Sequence, residues 1–434
     1  MEVGIGIVGL GNVGGGSLQI LVENSRSISE KLGFPLRVKA VCSRSLQNGK
    51  LPPQLGEDVL RTTNWREVVS HPEVEIVVEA IGGTATASHV IEESLRSHKS
   101  VVTANKELMA LRGAELWSLA NQNGVNLAME ASVAGGIPIH TVLREGIAGD
   151  RVLELYGILN GTSNFILTEI ERSNAAFESV LAEAQQLGYA ESDPSADVDG
   201  LDARSKLAIL AALAFGEQLT PAQIFTEGIR RLSPVDFEYA HQLKHTIRLL
   251  CVGRRTNDGL YLSVRPSLIP QAAILAHVKG AYNAIWVRGA YGEDTFYYGR
   301  GAGPKPTGVA VVSDLMRVAR EIRFGSPDRV SPFAHDRLEE YKSLSIQSQE
   351  CRYYLRFRVE DKAGIIATLA TILAKHNIGI DAVLQLPTEN WRDLPFVITT
   401  EQAKEQSVRN AMLEVREADF LVEPPFAMPM EGGF

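Results

Sequence analysis

The stretch VGIGIVGLGNVGGG (Val3–Gly16) decides the fold of this chain. It begins as a short apolar run typical of a buried parallel strand. The glycines that follow allow a tight turn at Gly9, approach of a pyrophosphate to bare backbone at Gly11, and close strand–helix contact at Gly14. We therefore predict a Rossmann-type, doubly wound α/β domain, although a glycine-rich turn without a ligand is the alternative. The expected cofactor contacts in this loop are Gly9, Gly11, Asn12, Val13 and Gly14.

Length and composition limit the class of protein. At 434 residues the chain exceeds one ordinary core, so two or three domains are expected. The formal net charge of −9 argues against nucleic acid or an anionic membrane as the main partner. Three widely spaced cysteines suggest neither disulfides nor a zinc site, which fits a cytoplasmic protein. No apolar run reaches the length of about 18 residues that a membrane span needs, and no basic region of a signal peptide precedes the first strand.

The end of the second predicted strand bears on the choice of cofactor. This strand, Arg37–Cys42, is followed by Ser43-Arg44-Ser45. An acid at this place usually holds the ribose of NAD, whereas an arginine suits the 2′-phosphate of NADP. We therefore expect NADP as the preferred cofactor, with NAD possible, and Arg44 as a contact. A solvent-exposed arginine without a ligand is the alternative.

Two later strands of this domain, Ile76–Ala80 and Ser100–Thr103, are also expected to be buried. The second is followed by Ala104-Asn105-Lys106, and ligands collect beyond the carboxyl ends of strands in such sheets. Lysine at a helix start is electrostatically unfavourable because the positive end of the helix dipole lies there. The placement therefore indicates function, and we expect Thr103 and Lys106 to lie over the cofactor or substrate.

Glycines and small residues fill the next segment, EASVAGGIPI (Glu130–Ile139). They allow several carbonyls to point at one place, which could hold a hard cation through oxygen ligands. A hinge between domains is the alternative interpretation.

From Arg151 onward, strands alternate with helices outside the nucleotide fold, so we predict an α+β substrate domain. Its expected strands are Arg151–Leu159, Tyr261–Arg265 and Ala284–Arg288, and its expected helices are Phe177–Leu187, Asp199–Phe215 and Phe237–Val252. The predicted segments are a dinucleotide-binding domain at 1–135, to which 304–325 return, a substrate-binding and dimerisation domain at 136–303, a linker at 326–350, and a regulatory module at 351–434.

The strongest sign of chemistry is the acidic loop and helix start GYAESDPSADVDGLDARSK (Gly188–Lys206). Asp202 and Lys206 are four residues apart, so they share one face of a predicted helix that is otherwise largely apolar. A lysine in such a place can serve as acid or base. The alternatives are a solvated loop, with Asp199 as a helix cap, and a calcium loop, whose required spacing is absent. Lysine is the expected proton shuttle of a hydride-transferring enzyme, and the carboxylates are expected to hold a substrate ammonium group.

Six motifs occur in the order found in homoserine dehydrogenases, and the chain resembles that family over nearly its whole length. They are GLGNVG, VVTANKEL, EASVAGGIPI, GILNGTSNFIL, GYAESDPSADVDGLDARSK and GRGAGPKPTG. The segment DKAGIIATLATILAKHNIGIDAVLQ (Asp361–Gln385) resembles an ACT domain, which implies a βαββαβ module. The resemblance implies reversible NAD(P)-dependent oxidation of L-homoserine to L-aspartate 4-semialdehyde, on the route to threonine and methionine. It also implies a homodimer or homotetramer and an amino-acid effector such as threonine at the ACT module.

The resemblance also assigns roles by position. Lys206 matches the catalytic lysine, Lys106 the other active-site lysine, and Asp202 the catalytic-site aspartate. Glu191 matches the residue that binds the substrate amino group. Further expected substrate contacts are Asp197, Asn160 and Thr162, and further cofactor contacts are Gly161 and Gly303. A sodium site would fall on Glu130, Val133, Gly135 and Ile137, mostly through carbonyls.

Two features depart from many relatives. Pro304 and Pro306 stiffen a loop that usually lacks prolines, and the tail LVEPPFAMPMEGGF lacks an arginine-bearing strand. Two other functions are compatible with the motifs: a related NAD(P)-dependent amino-acid dehydrogenase, or a non-catalytic sensor. Both lysines are present, which argues against a sensor.

Overall fold

The structure, a computed structural model, describes residues 2–44, 46, 55–325, 331–335, 337–387, 390 and 392–433. Residues 326–330 and 336 of the expected linker therefore lie outside the described residues. The chain forms two compact units. The first contains Met1–Val152, Ser205–Pro221 and Asn283–Tyr341, and the second contains Leu153–Arg204, Ala222–Tyr282 and Lys342–Phe434. Within the described ranges, no helix combines the length and apolar character needed to cross a membrane.

A six-stranded sheet forms the centre of the first unit, and every neighbouring pair of its strands is parallel. The spatial order is Leu60–Thr62, Leu36–Cys42, Val3–Val8, Ile76–Glu79, Ser100–Thr103 and Leu127–Ala128. This is the order 3-2-1-4-5-6, in which nucleotides bind at the carboxyl ends of the strands where the order reverses. The predicted Rossmann-type sheet is confirmed.

Both faces of this sheet are covered. On one face, Ile5 and Ile7 pack in a core with Leu18 of the first helix. On the other, Val8 packs with Val68 of a different helix. Because both faces are buried, the first strand is apolar throughout instead of alternating. The main helices of the unit are Asn12–Glu23, Ser25–Leu32, Trp65–Ser70, Ala85–Arg96, Lys106–Gln122 and Pro304–Phe324, and a hairpin is formed by Tyr282–Gly289 and Asp294–Arg300.

The helix Pro304–Phe324 packs directly on the helix Asn12–Glu23. A Cβ atom at Gly16 would lie 2.2 Å from the carbonyl oxygen of Pro304, and one at Gly308 would lie 3.0 Å from the carbonyl carbon of Gly16. Only glycine permits backbones to approach this closely. Pro304 is the first helical residue, where the missing N–H removes no helical hydrogen bond. The two prolines therefore help to begin a helix.

Seven strands of the second unit form one continuous mixed sheet. Their spatial order is Val152–Ile158, His245–Arg255, Leu260–Pro270, Phe426–Met430, Glu350–Val359, Leu394–Thr400 and Ile380–Gln385. Neighbours are antiparallel, except that Phe426–Met430 runs parallel to Leu260–Pro270. The last strand of the chain therefore joins the sheet of the tail to the strands of the predicted substrate domain.

The helices of this unit are Gly161–Ser173, Phe177–Gln186, Ser195–Val198, Pro234–Gln242, Ile365–Lys375 and Glu405–Val415. A further helix, Leu201–Phe215, begins in the second unit and continues into the first. From Glu350 onward the main elements follow the order βαββαβ, so the predicted ACT-like module is confirmed.

The predicted helix Phe237–Val252 is correct as far as Gln242 and wrong beyond it. A helix at Pro234–Gln242 is started by a capping box between Ser233 and Asp236, and a strand then covers His245–Arg255. Between the two elements Lys244 has φ 57°, a left-handed conformation that ends a helix. The strand is buried on both faces, and such a continuous apolar run cannot be distinguished by its pattern from a buried helix.

Candidate active site

The first glycine loop, residues 9–14, lies at the end of the central strand and leads into the helix Asn12–Glu23. Gly9 has φ 99°, and a Cβ atom at Gly14 would lie 1.8 Å from the carbonyl oxygen of Gly9. Around Gly11, by contrast, a Cβ atom would meet nothing within 4 Å. Gly11 caps the helix Asn12–Glu23 without a side-chain hydrogen bond, and no acidic residue occupies the first turn. The N–H groups of this helix start are therefore suited to a pyrophosphate.

Two other predicted cofactor residues lie near the same edge of the first unit. Arg44 is exposed just beyond Cys42, which pairs with Val8 at the end of the central strand. Gly303 precedes the helix that packs against Gly16, and its φ of 119° explains the need for glycine. The guanidinium of Arg44 makes no hydrogen bond or ion pair within the described part of the chain. It is therefore available to a phosphate.

Sequence reasoning missed a buried acid at this edge. Glu79 ends a central strand and is fully buried. Its carboxylate accepts hydrogen bonds from Thr103 Oγ1 at 2.6 Å and from the Ile81 N–H at 2.9 Å. Burial raises the pKa of Glu79, and these hydrogen bonds oppose that rise. The only signal in the sequence is one acid at the end of an apolar strand.

The Glu79 contact fixes the segment that carries Lys106. Thr103 Oγ1 accepts a hydrogen bond from the Asn105 N–H at 3.0 Å. The side chain of Asn105 caps the next helix by accepting from the Leu108 N–H at 3.1 Å, and it donates to the Gly83 carbonyl at 2.6 Å. Lys106 is the first residue of that helix and is half-buried. Its backbone is therefore held beyond the carboxyl end of a central strand, as the sequence suggested.

In the second unit, Asn160 connects two other predicted site residues, Asp197 and Asp202. Its Oδ1 accepts the Ser163 N–H at 2.7 Å and so caps the helix Gly161–Ser173. Its Nδ2 donates to Asp197 Oδ1 at 2.6 Å and to Asp202 Oδ2 at 2.8 Å. One amide thus holds two carboxylates that lie 37 and 42 residues away along the chain.

The remaining predicted residues of this segment differ in their surroundings. A Cβ atom at Gly161 would lie 3.1 Å from the Ala281 carbonyl oxygen, so the backbone is closely packed there. Thr162 is half-buried and donates to the Tyr189 carbonyl at 2.7 Å, which connects the helix start to the acidic loop. Glu191 is exposed, and its carboxylate makes no hydrogen bond or ion pair to the described residues. That carboxylate is therefore accessible to a cationic group.

The helix Leu201–Phe215 carries Asp202 and Lys206 one turn apart, as predicted. Both side chains are buried, each at 9% exposure, among apolar neighbours such as Leu207 and Leu210. Other acids of the loop have structural roles: Asp193 accepts the Ser195 N–H at 3.1 Å.

Asp199 does not cap this helix, contrary to the alternative from sequence. Its carboxylate instead pairs with Arg230, with Nε and Oδ1 2.6 Å apart. The first turn of the helix is closed by the Gly200 carbonyl, which accepts from the Arg204 N–H at 2.9 Å.

The predicted cation segment contains buried carbonyls. Val133 and Gly135 are buried, and within the described residues neither carbonyl oxygen accepts a hydrogen bond. The Ile137 carbonyl accepts one from Ile139. The Glu130 carboxylate is already used, because it accepts from the N–H groups of His140 and Thr141, both at 2.9 Å. The described chain holds no group of three or more His, Cys, Asp or Glu arranged as a metal site. Any cation here would be bound by backbone oxygens.

Three family models match the chain. One described as the homoserine dehydrogenase NAD-binding domain matches residues 9–130, one described as homoserine dehydrogenase matches 138–316, and one for the ACT domain matches 353–417.

Full-length relatives and solved structures agree with these matches. A homoserine dehydrogenase of Pseudomonas aeruginosa is 39% identical over 436 residues, which cover 99% of each chain. The crystal structure of a homoserine dehydrogenase from Thiobacillus denitrificans has a TM-score of 0.92 and 40% identity, and covers 99% of this chain and 98% of its own. A hyperthermophilic archaeal homoserine dehydrogenase in complex with NADPH has a TM-score of 0.62 and 27% identity, with 74% of this chain and 98% of that chain covered.

Proposed function

We propose roles for individual residues of this chain, which belongs to the homoserine dehydrogenase family. The reaction is the oxidation of L-homoserine to L-aspartate 4-semialdehyde. Oxidation of the primary alcohol releases a hydride and a proton. The bound nicotinamide cofactor supplies the hydride acceptor. The side chains of the protein must therefore orient the amino acid and take up the hydroxyl proton.

Lys206 takes up that proton. Its amine is buried one helical turn from the Asp202 carboxylate, and a lysine in such surroundings can exchange a proton with substrate. Asp202 is itself fixed by the amide of Asn160. The observation that carries this proposal is the double hydrogen bond of Asn160 to Asp197 and Asp202, because it organises the loop that leads into the Lys206 helix.

The other polar groups bind the ends of the amino acid. Glu191 offers an exposed carboxylate to the substrate ammonium group, with Asp197 and Thr162 on the same loop and helix start. Lys106, held by the Glu79–Thr103–Asn105 contacts, supplies the second cationic group of the site. Cationic groups orient a substrate carboxylate or hydroxyl by charge-assisted hydrogen bonds.

NADP is the proposed cofactor. The pyrophosphate would lie at Gly11 and the start of the first helix, with the 2′-phosphate at Arg44. The guanidinium is exposed and has no partner among the described residues, which supports this choice because Arg binds phosphate through paired N–H groups. The buried free thiols Cys42, Cys251 and Cys351 suit the reducing cytoplasm that we propose as its location.

Sodium is the proposed cation at the Glu130–Ile137 segment. The Val133 and Gly135 carbonyl oxygens are buried and accept no hydrogen bond from the described part of the chain, which is costly unless another partner is present. A cation bound to backbone oxygens would satisfy them. It would also fix the turn in which Ala134 and Gly135 have φ values of 53° and 29°.

The ACT module is the proposed site of an amino-acid effector such as threonine, near Asp361–Gly364 and Asn377–Ile380. Within one chain, the 11-residue helix Ile365–Lys375 separates these two segments, a length of about 16 Å. One small amino acid would therefore contact both segments only across two copies, which supports a homodimer or homotetramer. Calorimetry with threonine, methionine and lysine tests this site, and the absence of heat with all three would defeat it.

The catalytic proposal is tested by following NADPH absorbance with aspartate 4-semialdehyde. We expect Lys206→Ala to lower kcat by about 10²–10⁴-fold, the usual range for a lost acid or base, with NADPH affinity nearly unchanged. Lys31→Ala, at an exposed lysine of the same chain, serves as the control. Full turnover by Lys206→Ala would eliminate the proton-transfer role. Binding of NADPH by the wild-type protein without any turnover would favour the sensor instead.

A further inference from the structure

The second unit contains a cavity that is lined by none of the predicted site residues. It has a volume of about 780 Å³, is half open to solvent, and is bounded by the segment 227–233, the helix Glu405–Val415 and the residues that lead into the last strand. Ligand pockets typically have volumes of about 300–1,000 Å³. Seven arginines and three glutamates line it. Five of these arginines pair with carboxylates, namely Arg230, Arg265, Arg356, Arg358 and Arg409. The other two, Arg231 and Arg416, favour an anionic ligand.

Two of the arginines, Arg231 and Arg416, have no carboxylate partner in the part of the chain that the structure describes. Arg231 donates to the carbonyls of Pro424 and Pro425, at 3.5 and 2.9 Å, and its guanidinium carbon lies 5.0 Å from the centre of the Phe426 ring. Arg416 is exposed and makes no hydrogen bond or ion pair to the described residues. Burial, together with the charges of Arg356 and Arg416, lowers the pKa of Arg231. The like charges therefore repel each other, and an anion bound between Arg231 and Arg416 would offset this repulsion.

Other arginines of the cavity wall are held rigidly. Arg265 pairs with Glu405 at 2.8 Å, and Arg356 pairs with both Asp236 and Glu423. Both arginines are almost fully buried, and the Nε of each has no acceptor within the described residues. Two buried N–H donors of these arginines therefore have no partner among the described residues. Pre-ordered cations bind an anion without the entropic cost of first fixing flexible side chains.

The rest of the wall is apolar. Val408, Met412 and Leu413 contribute from the helix Glu405–Val415, and Pro424 and Ala427 contribute from the opposite side. A pocket with charged groups at one part and apolar groups at another suits an organic anion that has a carbon body. An inorganic ion would leave most of this volume unused.

The cavity also borders the acidic loop of the catalytic site. The Ile229 N–H donates to the Val198 carbonyl at 2.8 Å, and a Cβ atom at Gly228 would lie 2.4 Å from the same oxygen. Arg230, which lines the cavity, pairs with Asp199. The segment that forms one wall is therefore in direct backbone contact with the residues between Asp197 and Asp202.

We propose that this arginine cavity binds a small organic anion with at least two negative charges, a phosphate ester or a dicarboxylate, and that its occupancy changes homoserine binding through the segment 227–231. The site differs from the proposed amino-acid site because Arg416 follows the helix Glu405–Val415, whereas the amino-acid segments flank the helix Ile365–Lys375. The proposal adds a second ligand to the proposed function.

Calorimetry on the full chain, with NADPH present at saturation to occupy the glycine loop, tests the binding. The probes are 3-phosphoglycerate for phosphate esters, succinate for dicarboxylates, and inorganic pyrophosphate for charge without a carbon body. We expect 3-phosphoglycerate or succinate to bind with a Kd below 1 mM, on the scale of about 4 kcal/mol, and more tightly than pyrophosphate. Arg231→Gln and Arg416→Gln should each weaken binding at least tenfold, whereas Arg26→Gln, at an exposed arginine of the first unit, should not.

The coupling is tested by the KM for homoserine with and without the anion that binds. The anion should shift KM in the wild type and not in the Arg231→Gln, Arg416→Gln double variant, while kcat without anion stays the same in both. No binding of any probe, or equal binding by wild type and both arginine variants, would overturn the site. An unchanged KM with the anion bound would overturn the coupling.

Discussion

Replacing Asn160 by Asp separates the two tasks of this side chain. Asp caps helices as well as Asn does, so the bond to the Ser163 N–H is retained. The variant loses the Nδ2 donor and places a third carboxylate against Asp197 and Asp202, whose oxygens lie 2.6 and 2.8 Å from Nδ2 in the wild type. Each hydrogen bond to a charged group contributes about 1.5–3 kcal/mol.

The expected loss is worked from these two contacts. Asp202 is buried and Asp197 is half-buried. The hydrogen bond to Asp202 therefore contributes toward the upper end of that range, and the hydrogen bond to Asp197 toward the lower end. The free energy of unfolding at pH 7 should fall by about 3–5 kcal/mol. If misplacement of Asp202 costs about 2–3 kcal/mol in the transition state, kcat/KM falls by about 30- to 150-fold.

The pH profile of the same variant gives a sharper test. Three adjacent carboxylates cannot all remain ionised easily, so the pKa of one of them is raised. At lower pH a shared proton restores one hydrogen bond, so the deficit in kcat/KM should shrink between pH 8 and pH 6. Asn160→Ser keeps a capping side chain without adding charge, and its deficit should not depend on pH. Wild-type kcat/KM in a folded Asn160→Asp protein, or the same pH-independent deficit in both variants, would refute the positioning role.

Three further changes test other parts of the structure. The Gly11→Ala variant should fold normally, because a Cβ atom there meets nothing within 4 Å, but it should bind NADPH at least tenfold more weakly because the methyl group obstructs the pyrophosphate. Gly16→Ala should instead lower the free energy of unfolding by about 1–3 kcal/mol. The opposite pattern in thermal unfolding and NADPH titration would contradict the loop assignment. Arg44→Ala should weaken NADPH more than NADH, and equal losses in fluorescence titrations would remove the 2′-phosphate argument. Burial lowers the pKa of His140 to about 3, so its contribution to stability is complete above pH 6.5 and is lost as pH falls toward 3. Between pH 7 and pH 5, the free energy of unfolding of His140→Leu in urea should therefore fall by about 2 kcal/mol less than that of the wild type. Equal falls would be evidence against this effect.

The sequence predicted elements best where local signals agree. Val3–Val8 has the same bounds in sequence and structure because an apolar run and a glycine turn both specify it. The strand His245–Arg255 was missed because its burial comes from two neighbouring strands, which no local pattern records. Glu79 was missed for a related reason. Its role depends on Thr103 in the adjacent strand, and one acid after an apolar run has no distinctive spacing.

The site shows the same division. Spacing along one helix was enough to pair Asp202 with Lys206, because positions four apart share a face. Family resemblance assigned roles to Asn160, Asp197 and Asp202, but the hydrogen bonds that connect them were not predicted, since chain folding alone brings these residues together. Spacing also suggested Asp199 as a cap, but Arg230, distant in sequence, engages that carboxylate. Tertiary partners, which the sequence does not reveal, decided which acids of the loop remain available for chemistry.

The C-terminal strand affects how a ligand of the tail could influence catalysis. Phe426–Met430 lies between Leu260–Pro270 and Glu350–Val359 and bonds to both. Directly after it, buried Glu431 pairs with Arg254 at 3.0 Å. A module attached by a flexible linker could move freely when it binds a ligand, but a module that shares a sheet cannot move without breaking these bonds. We therefore expect a ligand in the tail to affect the acidic loop through small shifts of the strands and of the segment 227–231, because packed elements transmit displacement directly.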